Sequence, residues 1–212
     1  MELPAAADTV PLRVGVNRSA NLPSSAPGER FRNSDGTQVL VFAIRSPGAV
    51  ALRVQFAGFA IAPGDEVFVR GAGEKQANDE PYRGKGPGGD GEFWAATVDG
   101  DTAVIEYHKK SADGSFVISG VSHIFKIAVS DNTPDVLSCQ VDASCSSVGA
   151  KSAVARISFI RGGASYVCSG TMITNANYDR TPYFLTANHC ISTPIRGSLR
   201  RGVLALPDEF LQ

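Results

Sequence analysis

The residues best placed to do chemistry lie near the end of the chain. His189 sits between Asn188 and Cys190, and Cys168 opens the apolar run Cys168-Ser169-Gly170-Thr171-Met172-Ile173. A second apolar run, Tyr183-Phe184-Leu185-Thr186-Ala187, leads into the histidine. Between them lies Asn175-Ala176-Asn177-Tyr178-Asp179-Arg180-Thr181-Pro182, rich in turn formers, so the pattern predicts two strands joined by a loop. An imidazole titrates near neutral pH and can take the proton of a hydroxyl nucleophile, provided it is fixed in one tautomer and one orientation. The plainer reading is a core histidine beside a structural cystine. Four cysteines, Cys139, Cys145, Cys168 and Cys190, allow three pairings.

These two runs resemble the trypsin-like (chymotrypsin-fold) serine endopeptidases. In that family Cys-x-Gly-[Ser/Thr]-Leu-Ile opens one strand and Leu-Thr-Ala-Ala-His-Cys carries the catalytic histidine. The chain is most similar to the bacterial lysyl-endopeptidase-like secreted proteases, which share the run read here as Asp179-Arg180-Thr181-Pro182-Tyr183-Phe184-Leu185-Thr186-Ala187-Asn188-His189-Cys190. Asn188 departs from the alanine usual in trypsins. The resemblance implies that His189 is the general base and acid. It implies a Cys168–Cys190 disulfide tethering the histidine turn to the opening strand, a closure worth roughly 3 kcal/mol in the chain-entropy model. It implies a protein or peptide substrate and no cofactor or metal.

Composition sets the class. Of the 212 residues 43% are hydrophobic and 19% charged, enough apolar content for a packed core. Twenty basic residues against twenty-one acidic ones leave no basic surface for nucleic acid or an anionic membrane. No apolar run reaches transmembrane length. Met1 to Ala7 has neither a basic start nor an apolar core, so no signal peptide is visible. The cysteines, read as disulfide-forming, nevertheless favour a secreted or periplasmic protein. A monomer is expected.

The chain reads as all-β. Residues 1–35 are expected to be loosely structured, with Val10 to Val16 as one possible strand. Strands are predicted over Gln38–Arg45, Ala51–Phe56, Glu66–Arg70, Glu92–Val98, Thr102–Tyr107 and Ser115–Phe125, with Asp99-Gly100 as a hairpin turn. The Gly-rich stretch from Gly71 to Gly91 cannot be regular structure. This spacing predicts a β-sandwich, jelly-roll-like, over 36–129, a linker over 130–136 and the first portion of a trypsin-like barrel over 137–212. The resemblance extends to the Pro-Tyr-x-Gly-Lys-Gly-Pro…Gly-Asp-Gly-Glu-Phe-Trp pattern, which looks like that of the β-sandwich module preceding such peptidases. It also marks the linker as a processing site, as in a zymogen, with cleavage between about Ile127 and Ser138.

A two-barrel peptidase needs roughly 200–250 residues, and only the opening strands of its first barrel fit after Leu137. No Gly-Asp-Ser-Gly-Gly-type segment occurs, and Asp208 follows His189 too closely to be the triad aspartate. The resemblance thus implies a C-terminally truncated or frame-shifted peptidase, lacking serine and aspartate and inactive as this polypeptide. In the family, the cysteines at the places of Cys139 and Cys145 bond to cysteines further along. With permitted codon choices and a one-base shift, the segment from Ser198 can encode Arg-Phe-Glu-Glu-Val-Phe-Trp-Leu-Tyr-Gln-Thr-Ser-Phe-Cys. That resembles the family's next strand and restores a cysteine.

Other constellations carry less. Asp90, Glu92, Asp99 and Asp101 flank glycine-rich turns and are expected to be solvated rather than to hold Ca²⁺. His108 and His123 lack zinc-ligand spacing. Trp94 is expected in the core rather than on a carbohydrate platform, and Ser169 is read as structural. The alternative function, from another class, is a non-catalytic extracellular β-sandwich binding or pro-region protein with an inert peptidase remnant.

Overall fold

The computed structural model describes residues 11–73, 80–111, 113–126, 149–174, 176–177 and 183–190. Apart from a short 3-10 turn at Gly149–Ala153, its regular structure is entirely antiparallel β. In chain order the strands are β1 (Leu12–Pro23), β2 (Glu29–Arg32), β3 (Gln38–Arg45), β4 (Ala51–Ile61), β5 (Glu66–Gly71), β6 (Phe93–Trp94), β7 (Val98–Asp99), β8 (Thr102–Lys109), β9 (Gly114–Ile124), β10 (Val154–Arg161), β11 (Ala164–Ile173) and β12 (Tyr183–Thr186).

Alternation builds the sandwich. In β8, Ala103, Ile105 and Tyr107 are buried while the residues between them are half exposed; in β4, Leu52, Val54 and Phe56 are fully buried. Successive side chains of a strand point to opposite faces, so such patterns leave each sheet one apolar face. One sheet runs β2-β3-β8-β5. The other runs β10-β11-β1-β9-β4-β6, with β12 on β11 and β7 on β4. Their apolar faces meet in one core containing Leu40, Phe42, Leu52, Val54, Phe56, Phe59, Val67, Ile105, Tyr107, Phe116 and Ile118.

Several expectations are corrected. Residues 12–23 and 29–32 are strands, not loose chain. β1 lies between β9 and β11, with Asn17 opposite Ser122 and Leu12 opposite Val167. At Asn17 the side chains that meet it are polar too. Ser165 Oγ donates to Asn17 Oδ1 at 2.9 Å and lies 2.6 Å from Ser122 Oγ, both serines being fully buried. The expected strand over 92–98 is broken into β6 and β7, both paired with β4. Asp99-Gly100 makes no hairpin. Gly100, at φ +87°, turns the chain from β7 in one sheet to β8 in the other, with its amide on Val50 O.

Trp94 does not enter the sandwich core. Phe93 does, and Trp94 on the opposite face lies against Gly120, half buried. The described part of the Gly-rich stretch is tied by its backbone: Ile61 N donates to Gly84 O and Phe59 N to Gly91 O. Gly86, at φ +76°, leaves room only for the Phe93 ring, which a Cβ there would meet at 2.3 Å.

The sheet containing β10 and β11 is strongly curled. Arg53 of β4 donates through Nε to Ala95 O at 3.1 Å and through Nη1 to Ser158 Oγ of β10 at 3.4 Å, although three strands separate β4 from β10. Burial pushes the Arg53 guanidinium below its ordinary value, partly offset by Tyr82. Val14, Ala51 and Ile124, with Val167 packed on them, form a second small core on this outer face. The expected linker at 130–136, with Cys139 and Cys145, lies outside the described residues, as does the tail from 191.

Candidate active-site turn

The histidine is positioned by three strands and a cystine. β10 and β11 pair in continuous register from Val154↔Thr171 to Arg161↔Ala164 across the Gly162-Gly163 turn. Both glycines have positive φ (56° and 76°), the backbone a tight two-residue hairpin demands. β12 then pairs with the far end of β11, from Gly170↔Thr186 to Ile173↔Tyr183. The sequence pattern predicts the second half of β11 and β12 as two strands joined by a loop, but not the contacts that lock them. A Cβ on Gly170 would meet the Phe184 ring at 2.3 Å and Leu185 O at 2.7 Å, so glycine admits the ring. Thr186 Oγ1 donates to Ser169 O at 2.7 Å, tying the last residue of β12 to β11.

Immediately after Thr186 the chain turns, with Cys190 N donating to Ala187 O at 3.0 Å. Cys190, 2% exposed, is bonded to Cys168 of β11, with the two Cα atoms 6.2 Å apart. His189, half buried, is held in this turn, and one of its ring nitrogens lies within 4.8 Å of both sulfurs. The structure therefore brings His189, Cys168 and Cys190 together, and the cystine implied by the sequence resemblance is present. Ser169 is exposed, and its carbonyl serves as the acceptor for Thr186. Replacing both Cys168 and Cys190 with serine removes a closure spanning 22 positions and is expected to cost about 3 kcal/mol. A lowered thermal midpoint and faster proteolytic nicking between β11 and the turn check this.

The remaining polar constellations are structural. Asp90 Oδ1 accepts from Glu92 N, Glu92 Oε1 accepts from Gly58 N, and Asp101 pairs with Arg45 at 3.0 Å. Hydrogen bonds from Thr102 and Arg45 hold the Asp101 carboxyl below its ordinary value. No three of these carboxylates converge into a ligand cluster among the described residues. His108 lies against Phe68, the ring planes inclined at 60°, and contacts Glu106 at 3.2 Å. His123 Nδ1 lies 2.7 Å from Ser46 Oγ, a contact the sequence did not signal because 77 positions separate the pair.

The segment that builds this turn is also where the chain matches known proteins: the family model for the C-terminal domain of lysyl endopeptidase matches residues 134–202. The chain is similar to lysyl endopeptidase. The lysyl endopeptidase of Pseudomonas aeruginosa strain PAO1 is 28% identical over 202 aligned positions, covering 85% of this chain and 44% of the relative. A match over 85% of the chain cannot be contained in residues 137–212, so the similarity takes in strands of the sandwich as well. The chain spans less than half the length of that lysyl endopeptidase. No solved structure gave a significant match.

Proposed function

We propose that this chain carries the β-sandwich module and the opening strands of a trypsin-like serine endopeptidase, with His189 as general base and acid in peptide-bond hydrolysis. The observation that carries the reading is the histidine turn: His189 precedes a cystine anchored on β11, inside the segment matched by the lysyl endopeptidase family model. The β-sandwich, which takes in β1 and β2 besides 36–129, is a prodomain-like module, 130–136 is the linker and processing site, and 137–212 is the peptidase part that carries the histidine turn. The cystine favours an oxidising compartment, so the protein is secreted or periplasmic. The substrate implied for the completed peptidase is protein or peptide, and the chain is read as a monomer with no nucleic-acid or membrane partner.

A second feature supports unfinished barrel structure. Cross-strand partners share a face, which places Val154, Ile173, Tyr183 and Leu185 on one side of β10–β11–β12. They are 44–58% exposed. Further strands covering this face are part of the proposal.

A triad nucleophile, the aspartate and the oxyanion donors are required together, since removing one member leaves only residual catalysis. The 212 residues contain no Gly-Asp-Ser-Gly-Gly-type segment. A fluorophosphonate probe is therefore expected to leave this polypeptide unlabelled, and labelling would overturn the assignment of an absent nucleophile. The gene read one base out of frame from codon 198 is expected to continue into a peptidase sequence. That longer product should label, and His189→Ala should lower its peptidase rate by about a thousandfold or more. If the other frames hold no such continuation, or the longer product hydrolyses peptides equally well without the imidazole, the reading falls.

A further inference from the structure

We propose that reduction of the Cys168–Cys190 cystine converts the histidine turn into a Cys₂His site for a thiophilic divalent cation, of which Zn²⁺ is the representative. The two sulfurs and one His189 ring nitrogen already lie within 4.8 Å of one another, and they form the single cluster of three such ligand groups among the described residues. Tetrahedral zinc, with bonds of about 2.3 Å to sulfur and about 2.0 Å to nitrogen, needs ligand atoms roughly 3.3–3.8 Å apart. Opening the disulfide moves the sulfurs from bonding contact toward that spacing, with His189 as the third ligand.

The frame around the trio does not depend on the cystine alone. β11 is fixed by its register with β10 and β12, Thr186 is tied to Ser169 O, and Cys190 N closes the turn on Ala187 O. Cys190 is buried, while Cys168 and His189 are half buried. One side therefore stays open for water as a fourth ligand, as in three-ligand zinc sites.

The chemistry balances. A dithiol or phosphine supplies two electrons and is itself oxidised, while the cystine takes up two protons to become two thiols. Cation binding then releases both protons as the thiolates form metal–sulfur bonds. Metal bound through a His189 ring nitrogen competes with protonation of that nitrogen. On the proposed role of His189 as base, the reduced, metal-bound turn is a latent form; the site itself does not depend on that role.

The test uses Co²⁺ and the full chain, oxidised or reduced with a phosphine that is then removed. The reduced chain is expected to bind one equivalent, with thiolate-to-cobalt charge-transfer bands and tetrahedral d–d bands, and the oxidised chain to show neither. Cys168→Ser should abolish the charge-transfer pattern of a two-thiolate site. Losing a metal ligand costs at least what losing an outer partner does, so His189→Ala should weaken binding about tenfold or more. Cys139→Ser with Cys145→Ser should leave the spectrum intact. Zn²⁺ should protect Cys168 and Cys190 from alkylation in the reduced chain, read by mass spectrometry, so a partly unfolded sample still reports. The proposal is overturned if reduced chain shows no bands and no protection. It is equally overturned if the bands follow Cys139 and Cys145, or if His189→Ala changes nothing. None of these outcomes depends on fluorophosphonate labelling, so failure of the metal site and failure of the peptidase reading are separable.

Discussion

Phe56→Ala is expected to lower the unfolding free energy by about 3–5 kcal/mol. Phe56 is 0% exposed in the middle of β4, where it packs on four rings. It meets Phe59 and Phe116 edge-on at 5.3 Å each, stacks on Phe93 at 5.1 Å and lies against Tyr82 at 6.2 Å. Those rings come from β4, β6, β9 and the Gly-rich stretch, so no one element can shift to fill the space the ring leaves. The cavity therefore persists, and the penalty falls at the upper end of the large-to-small range rather than near the transfer term alone. Edge-to-face and stacked pairs contribute beyond their buried area, which adds in the same direction. Denaturant unfolding followed by Trp94 fluorescence measures the change. Phe56→Leu, which keeps most of the volume, is expected to cost less than about 1.5 kcal/mol. Phe31→Ala, at a site 52% exposed, is expected to stay within about 0.5 kcal/mol. A Phe56→Ala effect no larger than that of Phe31→Ala would refute the packing argument.

The sandwich strands were legible where one face is buried and the other wet. The run Gln38–Arg45 reads directly as β3, and the alternation in Ala51–Phe56 and Thr102–Tyr107 marks the cores of β4 and β8, each of which extends a few residues further. Of β1 only the stretch up to Val16 was legible, and the remainder was not, for a physical reason. Beyond Val16, Asn17 meets Ser122 and Ser165 rather than apolar side chains, so Asn17 to Asn21 carry no period-two hydrophobic signal. Asp99-Gly100 misled because the dipeptide specifies a turn but not its partners: a hairpin and a corner between sheets ask for the same positive φ. At the candidate site the identities of His189, Cys168 and Cys190 were carried by local sequence and resemblance. The supports were not. That Gly170 gives way to Phe184 and that Thr186 latches onto Ser169 O depend on a cross-strand register, which a single sequence does not print.

Asp65→Ala is the second large loss expected, about 3–5 kcal/mol, from polar rather than apolar causes. Asp65 is 0% exposed at the turn between β4 and β5. Its Oδ2 accepts from the Tyr107 hydroxyl at 2.8 Å, while Oδ1 accepts from the amides of Lys110 and Ser111 at 2.8 and 3.2 Å. One carboxylate thus joins the β4–β5 turn to β8 and to the chain leaving it. Truncation to alanine strands these donors where water does not reach the phenol, since Tyr107 is 1% exposed. A double-mutant cycle isolates the bond. Tyr107→Phe should cost less in the Asp65→Ala background than in the parent, with a coupling of about 0.5–3 kcal/mol; strict additivity would sink the account.

The same pair sets a pH dependence. Burial first, then the hydrogen bond and the nearby carboxylate charge, raise the Tyr107 phenol above its ordinary value of 10.0. Above that value the unfolded chain loses the phenolic proton while the folded chain retains it. The contribution is therefore whole below pH 10 and fades as pH rises toward the folded value. Unfolding measured from pH 9 upward should show this decline in the parent, and Tyr107→Phe should flatten it, because phenylalanine has no proton to lose in either state.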